Sequence, residues 1–213
     1  MDAKFWLDKW ESNQIGFHEA APHPRMEEFW PALAPESRAP VFVPLCGKSV
    51  DMCWLRHRGH PVVGVEISAI ALRDFFDEND IRYEVLKRQG LDCYSAASVD
   101  LYHADIFDYA RVSDRRFDLI YDRAALIALT PEQRCRYVEI LTSLAARQAK
   151  MLLITVNYDT SIISPPPHTV TEAEITELFA ESWKIDPLGS SGADIKGQPG
   201  FEFSYCLTRR DHA

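Results

Sequence analysis

Val41-Phe42-Val43-Pro44-Leu45-Cys46-Gly47-Lys48-Ser49, followed by Val62-Val63-Gly64-Val65-Glu66-Ile67-Ser68, is the part of this chain from which the rest can be ordered. An apolar run turns at Pro44–Gly47. A short amphipathic helix follows, and then a second β-branched run stops at Glu66. Strand, glycine turn, helix and a strand ending in an acid make the first half of a nucleotide-type site. Glu66 lies 21 residues after Leu45, close to the spacing at which a carboxylate grips ribose hydroxyls.

The turn itself narrows the ligand. Gly47-Lys48-Ser49 suggests a phosphate loop, but that motif needs a glycine five positions earlier, where Phe42 stands. A dinucleotide turn needs three glycines so that backbone can approach a pyrophosphate, and this turn holds one, Gly47. S-adenosylmethionine keeps the ribose for Glu66 and carries no pyrophosphate. Asp105-Ile106 would then meet the adenine, one by a polar edge and the other by an apolar face. Asp122-Arg123 ends the fourth strand beside the crevice where open α/β sheets bind ligands. Strand-end acids such as Asp108 and Asp122 also commonly cap the next helix.

Outward from this unit, residues 2–12 read as a helix with Trp6 and Trp10 at i,i+4. A second helix covers 25–33 and ends in the Pro31/Pro35 region. These forty residues cannot belong to a simple β/α alternation, and their length suits a lid. Ser68 is an N-cap for a helix over 69–78. Residues 83–85 and 99–103 read as short strands, and 117–121 as the next. Thr130-Pro131-Glu132-Gln133 opens a helix to about residue 146 with a capping box, and Thr171-Glu172-Ala173-Glu174 opens another to about 181. Met151–Val156 suits the centre of a parallel sheet. Residues 183–188 and 201–208 are strands joined by a glycine-rich loop over 189–200, which suits an antiparallel return. The expected fold is α/β, a doubly wound, mostly parallel Rossmann-like seven-stranded sheet with an antiparallel C-terminal hairpin. One domain spans 1–213, with 1–40 as the helical lid and 41–213 as the core.

Composition restricts the partners. A net charge of −9 argues against a nucleic-acid surface, and no apolar run reaches the length of a membrane span. Five scattered cysteines without a C-x-x-C pair, and no signal-peptide core, fit a soluble cytoplasmic protein. A monomer is the simplest expectation for an acidic one-domain chain. The pairs His57/His60 and His18/His23 have poor metal-ligand spacing. These histidines read as surface or substrate-side groups, and no metal is expected.

At this point Trp10 with Phe17-His18, Val43-Pro44-Leu45-Cys46-Gly47-Lys48, the run from Gly59 to Ser68, Ile106-Phe107-Asp108 and Phe117 to Leu126 resemble thiopurine S-methyltransferase. The likeness runs from about residue 4 to Tyr158. It implies a class I methyltransferase that uses S-adenosylmethionine, leaves S-adenosylhomocysteine, and methylates aromatic and heterocyclic thiols such as 6-mercaptopurine. Bacterial relatives are also associated with selenium and tellurium compounds, including tellurite resistance. The resemblance implies cofactor contacts from Trp10, Leu45, Cys46, Gly47, Glu66 and Arg123, with Asp105-Ile106 bordering the adenine. Phe17 and His18 would cover the acceptor side with Arg123. In 189–200 the basic residue is Lys196, where mammalian members carry an arginine that lysine does not reproduce geometrically.

Methyl transfer would be an in-line displacement by a thiolate, with the protein aligning reactants and excluding water. Arg123 would favour the thiolate; its alternative is a surface ion pair with Asp122 or Glu132. Replacing Arg123 by Ala is then expected to cut transfer and leave the fold intact. Trp10 presents an aromatic face to the sulfonium or simply packs on the lid, and Cys46 contributes backbone. Two other readings stay open: a non-catalytic adenosine-binding regulatory module, and a nicotinamide-dependent oxidoreductase.

Overall fold

The two apolar runs of the opening unit form adjacent parallel strands, β1 (Val41–Pro44) and β2 (Val62–Glu66), with α3 (Asp51–His57) crossing between them. The computed structural model describes residues 3–34 and 38–211. The expected helix start at Asp2 and the expected end near Pro35 lie outside the described residues. Around β1 and β2 the chain adds α1 (Ala3–Glu11), α2 (Pro24–Leu33), α4 (Ala69–Glu78), β3 (Glu84–Arg88), β4 (Leu91–Ala96) and β5 (Val99–His103). Then come α5 (Ile106–Val112), β6 (Phe117–Arg123), α6 (Pro131–Leu144), β7 (Ala145–Asn157), α7 (Glu172–Phe179), β8 (Trp183–Ile195) and β9 (Gln198–Arg209).

Among the described residues the strands form one sheet in the order β3-β4-β5-β2-β1-β6-β7-β9-β8. The seven from β5 to β8 are the expected doubly wound sheet: β5, β2, β1, β6 and β7 run parallel, and β9 and β8 return antiparallel. The order reverses between β1 and β6, so their carboxyl ends flank the crevice that such sheets offer to ligands.

Alternation along the strands divides the core into two layers. Val41, Val43, Leu119, Tyr121, Leu152 and Ile154 face α2, α3 and α4. Phe42, Val63, Val65, Ile120, Met151 and Leu153 face α5, α6 and α7. Gly64 has a packing reason, because a Cβ there would come within 2.7 Å of Cys46 Sγ and of a Leu101 methyl. Ser68 Oγ accepts from the Ala71 amide and the Thr130–Gln133 box closes, as read; at the second expected box Thr171 Oγ1 accepts from the Glu174 amide, while the Glu174 carboxylate pairs with Arg134.

Two stretches differ from the sequence reading. One is the edge meander, where β3 is longer than 83–85 and β4 was not foreseen. Its residues are of mixed polarity, and its turn is Gln89-Gly90, both at positive φ, the backbone of a tight hairpin. The other is 189–200, which is strand rather than loop. The hairpin pairs out to Ile195↔Gln198, and Lys196-Gly197 makes the turn at φ 54° and 79°. Backbone pairing across the hairpin holds residues whose composition reads as loop. No helix of the described residues is long and apolar enough to cross a membrane.

Candidate active site

Glu66 ends β2 and is buried. Its two carboxylate oxygens accept from the backbone amides of Ser68 (2.8 Å) and Gly47 (2.9 Å). Desolvation raises its pKa, and the amide hydrogen bonds work against that rise. The side chain is therefore fixed by the β1 turn and its own following turn. As an ionised carboxylate its remaining lone pairs only accept, which suits a pair of ligand hydroxyls.

The β1 turn is held equally firmly. The Cys46 amide donates to Val65 O at 3.0 Å, and both Leu45 (φ 45°) and Gly47 (φ 51°) are left-handed. Leu45, and Ala124 at φ 69° after β6, are non-glycine residues in that region, at a cost of about 1–2 kcal/mol each. Both stand at the crevice, where such strain concentrates. The Cys46 thiol turns inward onto Gly64, and burial pushes its pKa well up, which is a packing role and not a nucleophile's. A Cβ on Gly47 would lie 3.3 Å from the Trp10 indole. Trp10 is buried over this turn, and Phe17 meets its ring edge-on at 5.4 Å and that of Trp6 at 5.5 Å. The Lys48 ammonium is taken up by Glu78 (2.6 Å) and Asp74 (3.4 Å) on α4.

Asp105 caps α5 by accepting from the Phe107 amide at 2.8 Å, and Ile106 beside it is buried. Asp122 takes the capping role that strand-end acids commonly have. It accepts from the Leu126 amide and the Tyr137 hydroxyl, and burial raises its pKa to about 6.

Arg123 departs from its expected alternative. Its partner is neither Asp122 nor Glu132 but Asp51, at 2.9 Å from Nε, with Asp51 fully buried and Arg123 partly so. Asp51 also accepts from the Tyr121 hydroxyl (2.9 Å) and the His23 amide (2.8 Å). Ser49 Oγ accepts from Arg123 Nη2 at 3.4 Å. Sequence reasoning passed over Asp51, which looks like an ordinary acid in the first turn of a helix. Only the convergence of α3, β6 and the segment before α2 shows its role.

Of the four histidines read as surface or substrate-side groups, His60 and His23 differ, while His57 is exposed. His60 is a core strut: Nδ1 donates to Ala39 O, and Nε2 accepts from the Trp30 indole. His23 is buried and bridges to Glu202 on β9. His18 is partly exposed, and burial followed by the Lys48 charge lowers its pKa, so its imidazole is neutral near pH 7. Lys196 stands at the tip of the edge hairpin, where its ammonium donates to Ser164 O at 3.1 Å.

A crevice between β1 and β6 with a clamped carboxylate and a partly buried arginine on its two sides suits an adenosine-type ligand and a second reactant. A family model described as thiopurine S-methyltransferase (TPMT) matches residues 1–203. The chain belongs to the thiopurine S-methyltransferase family. It is 40% identical over 186 residues to thiopurine S-methyltransferase of Marinobacter nauticus, covering 87% of this chain and 85% of that one. To the Pseudomonas fluorescens enzyme of the same name it is 42% identical over 188 residues, covering 88% and 86%. Membership makes the chain a methyltransferase. Solved methyltransferases share the fold at low identity. The 1,6-didemethyltoxoflavin-N1-methyltransferase of Burkholderia thailandensis, with bound S-adenosylhomocysteine, superposes with a TM-score of 0.68 at 15% identity, over 98% of this chain and 87% of that one. The N-methyltransferase NodS of Bradyrhizobium japonicum, also with S-adenosylhomocysteine, gives 0.64 at 8% identity, over 96% and 98%.

Proposed function

We propose that this family member is an S-adenosylmethionine-dependent S-methyltransferase acting on aromatic and heterocyclic thiols, thiopurines among them. The observation that carries the reading is the Glu66 carboxylate, clamped by the Gly47 and Ser68 amides beneath Trp10. That donor set fits a ribose diol and contains no phosphate cradle. When bound, S-adenosylmethionine supplies an electrophilic methyl group on a sulfonium.

The chain's residues do the rest. Glu66 accepts from the ribose hydroxyls, while Leu45, Cys46 and Gly47 border the ligand with main chain. The Asp105 carboxylate oxygen not used in capping, and Ile106, meet the adenine. Trp10 closes the turn and turns an aromatic face to positive charge. Arg123, its Nε held by Asp51, places fixed positive charge on the acceptor side and favours the thiolate. Phe17 and His18 wall that side and exclude water. Lys196, bonded at the hairpin tip, receives no role. The same displacement extends to selenium and tellurium nucleophiles, which are larger and more polarisable than sulfur.

The test is transfer of a radiolabelled methyl group to thiopurine, thiophenol, selenite and tellurite acceptors, alongside calorimetric binding of S-adenosylhomocysteine. Binding with thiol turnover supports the reading. Binding without turnover of any acceptor assigns a regulatory module, and NADH binding in place of S-adenosylhomocysteine assigns an oxidoreductase.

A further inference from the structure

We propose that the His23–Glu202 bridge is a positioning strut that sets the acceptor side of the site, a role that rests on the methyltransferase reading above. His23 is buried, immediately before α2, and its Nε2 lies 3.1 Å from Glu202 Oε1. A carboxylate only accepts, so Nε2 carries the proton of this bond. The same residue donates its backbone amide to Asp51 at 2.8 Å, and Asp51 holds Arg123 Nε at 2.9 Å. One residue thus joins β9, through its side chain, to the acid that orients the arginine, through its main chain.

Register places these groups on one face of the sheet. Arg123 pairs with Ile154 on β7, and Val156 on β7 pairs with Glu202. Ile154 and Cys206 pack in the layer that contains α2. Period-two alternation therefore puts Arg123 and Glu202 on that face as well. The Arg123 charge helps to lower the Glu202 pKa, after the His23 bond. The cluster stands at the β6–β7–β9 half of the crevice, opposite Glu66.

The chain between Phe17 and His23 is the part that the strut controls. At one end Phe17 packs on the Trp6 and Trp10 rings. At the other, His23 is tied to Asp51 and Glu202. Between these anchors, residues 18–22 form no helix or strand, so their path over the acceptor depends on both ends. Releasing the His23 side chain leaves that end held by the amide bond to Asp51 alone, because the backbone is unchanged. The expected consequence is misplacement of the acceptor with the donor-side clamp intact.

The experiment compares wild type with His23→Leu, His23→Gln, Glu202→Leu and the double Leu variant. Thiol-acceptor and S-adenosylmethionine kinetics are measured, with calorimetric S-adenosylhomocysteine binding and thermal unfolding as fold controls. His23→Leu and Glu202→Leu are each expected to raise the acceptor KM about 10-fold or more, since small misplacements of a reactant are costly. S-adenosylhomocysteine affinity stays within about twofold, as expected for a group remote from the clamp. The double variant is no worse than either single one. His23→Gln, whose amide nitrogen can donate to Glu202, restores most of the acceptor KM. Acceptor KM unchanged in folded Leu variants overturns the proposal, as does loss of donor and acceptor binding together. A wild type that neither binds S-adenosylhomocysteine nor turns over a thiol instead overturns the functional reading beneath it.

Discussion

Replacing Arg123 by Ala is expected to have two consequences, because Arg123 is the residue proposed to favour the thiolate and also the partner of a buried acid. Sequence reasoning expects lost methyl transfer with an intact fold. The structure adds a stability loss, since the substitution strips a fully buried Asp51 of its counter-charge. Breaking one side of a buried pair costs about 3–5 kcal/mol. Asp51 keeps the Tyr121 hydroxyl and the His23 amide, so the lower end, about 3 kcal/mol, is expected. For a chain of this length that corresponds to a fall in Tm of roughly 6–12 °C, leaving a folded protein. Methyl transfer should drop about 100-fold, the scale for losing one fixed electrostatic group. Asp51→Asn in the Arg123→Ala background removes the stranded charge. It should recover about 2 kcal/mol, and turnover should stay low. Urea unfolding and radiolabelled transfer on the four members of this cycle give both readouts. Unchanged stability in Arg123→Ala would refute the argument from the buried pair, and wild-type turnover would refute the acceptor-side role.

Three further outcomes follow from other parts of the molecule. Glu66→Ala should weaken S-adenosylhomocysteine binding by about 1.5–3 kcal/mol, the worth of charged hydrogen bonds; a calorimetric Kd within twofold of wild type would remove Glu66 from the ribose. Asp122 rises from 3.8 unfolded to about 6 in the fold, so between those values the native state holds a proton that the unfolded chain has lost. Its contribution is complete below about pH 4 and is lost as pH rises through 6, roughly 3 kcal/mol at about 1.4 kcal/mol per pH unit. Unfolding curves for wild type and Asp122→Asn should therefore diverge over that interval and run parallel above it. Gly64→Ala should cost about 1–3 kcal/mol through the 2.7 Å approaches to Cys46 and Leu101; an unchanged Tm would mean that the β1–β2 layer yields more readily than its packing indicates.

Most of the fold was readable before folding because its signals are local. Apolar runs of strand length, Ser68, Thr130 and Thr171 as caps, and a single-glycine turn ahead of Glu66 each act within a few residues. Two such runs separated by one short helix leave few topologies open. What local pattern missed was backbone pairing that side chains do not advertise. β4 and the outer part of the β8–β9 hairpin have mixed or glycine-rich sequences, and pairing with a neighbouring strand holds them extended.

The site divides along the same line. Glu66 with its turn is contained within 41–68, where chain connectivity alone brings the carboxylate to the Gly47 amide, so sequence alone was enough to single it out. The proposed acceptor side draws on residues up to 179 positions apart. Asp51, Tyr121, His23 and Glu202 are individually unremarkable in sequence; Arg123 stands out at a strand end, but its partner is set only when α2 and α3 close on β6 and β9. Burial then makes each pairing obligatory, because a charge or polar group taken out of water must find its counterpart in space. No spacing rule along the chain encodes that requirement. The sequence accordingly singled out Glu66, the residue proposed for the ribose, and tertiary packing alone revealed what holds the arginine across the crevice from it.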